Sequence, residues 1–186
     1  FASAFGRQVL ATDLDHRFGV TNMQPDNGGR PVTPQLWHVG AGDLVDAFDA
    51  AALECRDGGG WACGGADAHG LEVAHGGIRS MSEEFSPPSP SRMRLRAEAR
   101  LVVLFITDES PTSVDGGSSL ETYVDFYRDH TTAYVVQPRA GCTGVSTDDA
   151  YKDVAVASGG KYNNVCAEDL SDLATDLVFD TLPSAQ

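Results

Sequence analysis

The chain has 186 residues, enough to bury a sizeable core, and reads as one domain over 1–182 with 183–186 as a tail or linker stub. Its 27 acidic residues against 13 Lys and Arg leave a net charge of -14, which argues against nucleic-acid partners because phosphate backbones are bound by basic residues that replace counterions. No apolar run reaches the roughly 18 residues of a membrane-spanning helix, and no basic segment followed by an apolar one marks a signal peptide in this numbering.

Phe1–Leu14 is expected to be a helix, with Phe1, Phe5, Val9 and Leu10 on one face. A turn at Asp13–Arg17 leads to a strand, Phe18–Met23. Gln24–Pro34 holds three prolines and reads as a loop or hairpin. Trp37-His38-Val39 fits a short edge strand. Asp43–Glu54 reads as a helix whose small face, Ala47, Ala50 and Ala51, suits close packing on a sheet. A glycine-rich loop between Cys55 and Cys63 follows. Ala66–Met81 is the next expected helix, with Leu71, Val73, Ala74 and Ile78 as its core positions and Asp67 as its N-cap. Ser82–Ser91 is rich in Ser and Pro and reads as an exposed, extended loop, and Met93–Arg100 as a basic lead-in.

The most informative stretch comes next. Leu101–Ile106 is uninterrupted apolar sequence that stops at Thr107-Asp108-Glu109. A short run rich in Val and Ile and bounded by polar residues reads as a strand buried on both faces. Ser118–His130 then reads as a helix, capped by Ser118 or Ser119 with Glu121 in its first turn. Thr132–Gln137 is a strand, Asp148–Ser158 a helix ended by Gly159-Gly160, Lys161–Val165 a short strand and Ala167–Leu182 a last helix. Alternation of this kind means an α/β fold: a central, mainly parallel sheet with helices on both faces. Ligands of such sheets sit at the carboxyl ends of the strands, where Asp108 and Glu109 fall.

Four cysteines, Cys55, Cys63, Cys142 and Cys166, contain no CxxC, which argues against a zinc ribbon or a thioredoxin-type centre. An even count suggests two disulfides and an oxidising compartment. Three connectivities exist. Cys55 and Cys63 flank a glycine-rich loop, whose ordering costs the most entropy, and Cys142 and Cys166 each follow a strand of the same sheet. The expected pairs are therefore Cys55–Cys63 and Cys142–Cys166, each worth about 2–4 kcal/mol. The alternative is four free buried thiols.

The order of elements and the residues Ile106-Thr107-Asp108, Ala133-Tyr134-Val135-Val136, Ala155–Gly160 and Asn163-Asn164-Val165 resemble a von Willebrand factor type A (VWA) domain. In particular the chain looks like the secreted, cysteine-bearing bacterial variety, and the resemblance extends from about Asp15 to Leu182. The resemblance implies a three-layer, Rossmann-like sandwich, a secreted or cell-surface location, and recognition of a protein or cell-surface ligand in adhesion or assembly. It also implies a divalent cation, Mg²⁺ or Ca²⁺, at the carboxyl edge of the sheet. Such cations take oxygen ligands and leave a position for a partner's carboxylate. Asp108 matches the family's acidic ligand after the central strand, and Glu109 and Ser110 extend the binding edge. Asp67 stands where the family has a threonine ligand. The family's Asp-x-Ser-x-Ser motif and the first strand that carries it are absent from these residues. The implied sheet is then completed by an upstream segment or, as the second choice, by a strand donated from another chain.

Enzymatic chemistry finds little support. No Gly-x-Ser-x-Gly elbow, P-loop or strand-borne GxGxxG occurs. His69 and His75, six apart around Glu72, fall on opposite sides of a helix rather than at zinc-protease spacing, and read as surface or capping residues. His16 reads as a turn residue beside Asp13 and Asp15, without the ligand spacing of an EF-hand. The chain is expected not to be an enzyme, with a metal-dependent hydrolase as the outside alternative.

Overall fold

The computed structural model describes residues 69–82, 99–107, 118–137 and 149–164, together with residues 7, 19, 45, 46, 95 and 111. Their elements are helix α1 (Gly70–Met81), strand β1 (Val102–Ile106), helix α2 (Leu120–His130), strand β2 (Thr132–Gln137), helix α3 (Ala150–Ala157) and strand β3 (Tyr162–Asn164). The strands form a parallel sheet in the order β1-β2-β3. Parallel neighbours need a crossover, which α2 and α3 supply. The chain is thus an α/β protein, as the alternating patterns predict. Arg7 and the pair Val45 and Asp46 are helical, in keeping with the first two expected helices. Of the strand expected at 18–23 only Gly19 is described, exposed and not in a strand; the strand expected at 37–39, the final helix and all four cysteines lie outside the described residues.

Side chains at one level of the three strands share a face, because the register sets Phe105 beside Val135 and Val135 beside Tyr162. On that face Phe105, Ala133 and Val135 meet Tyr123 and Tyr127 of α2, and Tyr151, Val154 and Ala155 of α3. Leu71 and Ile78 of α1 join the same core, with Ala74 packed against it. The spacing of these residues along α1 is that of one helix face, as expected from the sequence. On the opposite face Tyr134 and Val136 are buried too, so β2 is covered on both sides.

β1 differs from its expectation. Phe105 is buried, but Val102, Val103 and Leu104 are only half-buried and Ile106 is 42% exposed. The strand buried on both faces is β2, which has a neighbour on each side; β1 stands at one end of the sheet among the described residues. Both runs are apolar, and burial followed position in the sheet.

The helix ends follow local chemistry. Ser119 caps α2, its Oγ accepting from the Thr122 amide at 3.3 Å. α1 starts later than expected, at Gly70, and its N-cap is His69 rather than Asp67. The His69 carbonyl accepts the first helical bond, from the Val73 amide at 2.9 Å. α3 closes in a Schellman motif: the Gly160 amide donates to the Ala155 carbonyl at 2.9 Å and the Gly159 amide to the Val156 carbonyl at 3.2 Å. Gly159 carries φ +77°, which glycine adopts without steric cost.

Candidate functional site

The register aligns the carboxyl ends of the strands: Ile106, Val136 and Asn163 are abreast, and Gln137 and Asn164 form the next level. β1 ends at Ile106, and the next residue, Thr107, donates its amide to the Val136 carbonyl at 3.1 Å. This is the edge at which parallel α/β sheets place ligands. α2 and α3 run back between parallel strands and so begin at this same end of the sheet.

Two amide side chains stand at that edge. Gln137 is fully buried, and its Oε1 accepts from the Tyr162 hydroxyl at 3.4 Å. Asn163 lies on the opposite face, abreast of Val136, and its Nδ2 is buried with no hydrogen-bond partner. A buried amide donor left alone is costly and uncommon. From the sequence, Asn163 enters only through the family resemblance and Gln137 only as a strand end, neither as a site residue. The signal available was a polar residue ending an otherwise apolar strand, as Gln137 does.

The candidates Asp108, Glu109, Ser110 and Asp67 lie outside the described residues, as do Asp13, Asp15, His16, Cys55, Cys63, Cys142 and Cys166. Among the described residues no group of three His, Cys, Asp or Glu stands close enough to hold a metal ion, and no helix is long and apolar enough to cross a membrane.

The two described histidines of the first half part company. His69 sits at the N-cap with Nδ1 3.0 Å from Glu72 Oε2. His75 is not a surface or capping residue. It packs edge-on between α1 and α2, 5.7 Å from the Tyr123 ring and 4.3 Å from the Phe126 ring between centroids. Burial holds the His75 imidazole below the usual histidine range; Arg79 and His130 push the same way and Glu72 opposes them. Burial raises the Tyr123 hydroxyl, against a hydrogen bond from Ser118 that lowers it. Tyr127, wholly buried, is raised well above the usual tyrosine range by desolvation and then by Tyr151 and Tyr123. Tyr127 thus stays a neutral donor, and its hydroxyl donates to the Leu71 carbonyl at 2.8 Å.

No family model matches this chain, and no match is found among the curated proteins or the solved structures.

Proposed function

We propose that this chain is a recognition domain of the VWA type, secreted or on a cell surface, that binds a protein or surface ligand at the carboxyl edge of its sheet. The observation that carries the reading is the alignment of three parallel strand ends, with Asp108 and Glu109 next in sequence after the first of them. An acidic pair following a strand at that end of a parallel sheet is suited to an oxygen-seeking divalent cation, Mg²⁺ or Ca²⁺. In this reading Asp108 ligates the cation directly or through water, Asp67 is a second oxygen donor, and Glu109 and Ser110 border the ligand. The residues used are those of a binding surface; the chain is not read as an enzyme.

Calorimetric titration with Mg²⁺ and with Ca²⁺ tests this. The unmodified chain is expected to take up a divalent cation, and Asp108→Ala to lose that uptake with unchanged circular dichroism and thermal unfolding. Uptake equal in both proteins, or none in either, sinks the cation-dependent form of the reading.

A second reading is favoured by the half-buried state of Val102, Val103 and Leu104 beside a fully buried β2. There the chain is an assembly subunit whose sheet is completed by another segment or chain, with a vestigial metal site. It predicts that Asp108→Ala changes little, while light scattering after size-exclusion chromatography shows concentration-dependent oligomers.

A further inference from the structure

The contact between α1 and α2 is built around rings that include two histidines. His75 enters from α1 and meets Phe126 nearly at right angles, at 84°, and Tyr123 at 86°. His130 approaches Phe126 within 4.8 Å between centroids, at a tilt of 43°. One phenyl ring thus carries an imidazole contact from each helix. Below it the Tyr127 hydroxyl bonds to the Leu71 carbonyl, and Leu71 and Ile78 fill the core. The charged groups around His75 are unevenly signed. Arg79 lies one turn on along α1 and His130 faces it from α2, while Glu72, one turn back, is the opposing charge and already lies 3.0 Å from His69.

We propose that the α1–α2 contact is a pH-operated joint, docked while His75 is neutral and loosened when His75 takes a proton. A neutral imidazole suits an aromatic slot, and a charged one there is desolvated beside Arg79 and a second imidazole. Histidine is the side chain whose charge changes between about pH 5 and 8. The lowered pKa of His75 agrees with the geometry. The sign follows. The unfolded or undocked chain takes the proton first, as the pH falls through the ordinary histidine value near 6.5. The stability of the docked state is therefore complete above that value. It is lost progressively as the pH falls from there to the native pKa of His75, and levels off below it. Acid would release α1 and bare the stripe Leu71, Ala74 and Ile78.

Amide hydrogen exchange of α1 in the full chain, at about pH 7.5 and about pH 5 and corrected for intrinsic rates, reads the joint directly. Protection of residues 71–81 is expected to fall in acid. The limit is about tenfold for each pH unit by which the native pKa of His75 lies below the unfolded one. His75→Phe keeps a ring in the slot and removes the proton, and is expected to abolish the acid loss. Equal protection at the two pH values, or the same loss in His75→Phe, overturns the proposal. Should His75→Phe fail to fold, the imidazole proton titration of His75 in the unmodified chain decides. A midpoint below that of an unfolded histidine supports the joint, and one at or above it overturns the joint.

Discussion

The Oγ of Ser158 accepts a 2.9 Å hydrogen bond from the backbone amide of Ala133 and donates at 3.1 Å to the Ala155 carbonyl. Along β2 the amides alternate in direction. Thr132 donates toward β1, to the Leu101 carbonyl, and Val135 toward β3, to the Lys161 carbonyl. The Ala133 amide points to the β3 side, short of the level at which β3 begins pairing. The serine hydroxyl thus stands in for a strand that has not yet started. Ala133 is fully buried, so its amide has no water to fall back on. Ser158→Ala is expected to cost about 1–3 kcal/mol, the penalty for an orphaned buried donor. Denaturant unfolding checks it: a lower midpoint with an unchanged slope is the expected result.

Three glycines make a graded series. A Cβ on Gly160 would collide with the carbonyl of Ala133, a backbone group held in the sheet. Gly160→Ala is expected to cost roughly 3 kcal/mol by overpacking. Gly159 has open space but a left-handed φ, and Gly159→Ala is expected to cost about 1–2 kcal/mol. Gly76 sits inside α1 with nothing near its missing Cβ, so Gly76→Ala is expected to stabilise by about 1 kcal/mol. The order of melting temperatures across the three variants is the test, and Gly160→Ala ranking above Gly159→Ala would contradict the packing at Ala133.

Tyr127 is tied to Leu71 across the α1–α2 contact by the 2.8 Å bond from its hydroxyl. Tyr127→Phe keeps the ring against Phe105 and Phe126 and removes only the donor. The loss is expected to be about 1 kcal/mol. Hydrogen exchange would place it in α1 first. A loss spread evenly over β2 and α3 would show that this bond holds the whole core rather than the joint.

Local signals carried most of what the sequence disclosed. Thr132–Gln137 was readable to the residue, since an apolar run began just after a helix with basic residues in its last turn. Ser119 and Gly159-Gly160 marked helix ends by capping chemistry that acts within a few residues. Asp67 misled, because an acidic residue before an amphipathic run looks like a cap, whereas the helix starts at Gly70. The ranking of β1 and β2 was not readable. Two apolar runs look alike, and which is central depends on pairing between distant segments. The six-residue spacing of His69 and His75 excludes a zinc-protease pair but does not say which of them faces the core. The spacing of His75 from Leu71, one turn along the same helix, was the better guide to the face it occupies.

Asn163 offers a test that separates structure from use at the carboxyl edge. Its Nδ2 is buried without a partner, on the face it shares with Val136 and Ile106. A group in that state stabilises nothing, and an apolar side chain of like shape removes the desolvation cost. Asn163→Leu is therefore expected to unfold at the same denaturant concentration as the unmodified chain or at a higher one. A fall of more than about 1 kcal/mol would mean that the amide has a structural partner. The same variant belongs in the calorimetric titration with Mg²⁺ and Ca²⁺. Stability kept and cation uptake lost would tie the amide to the recognition edge. Both kept would leave Asn163 a tolerated defect at the end of β3, and recognition would then rest on the acidic residues that follow β1 in the sequence.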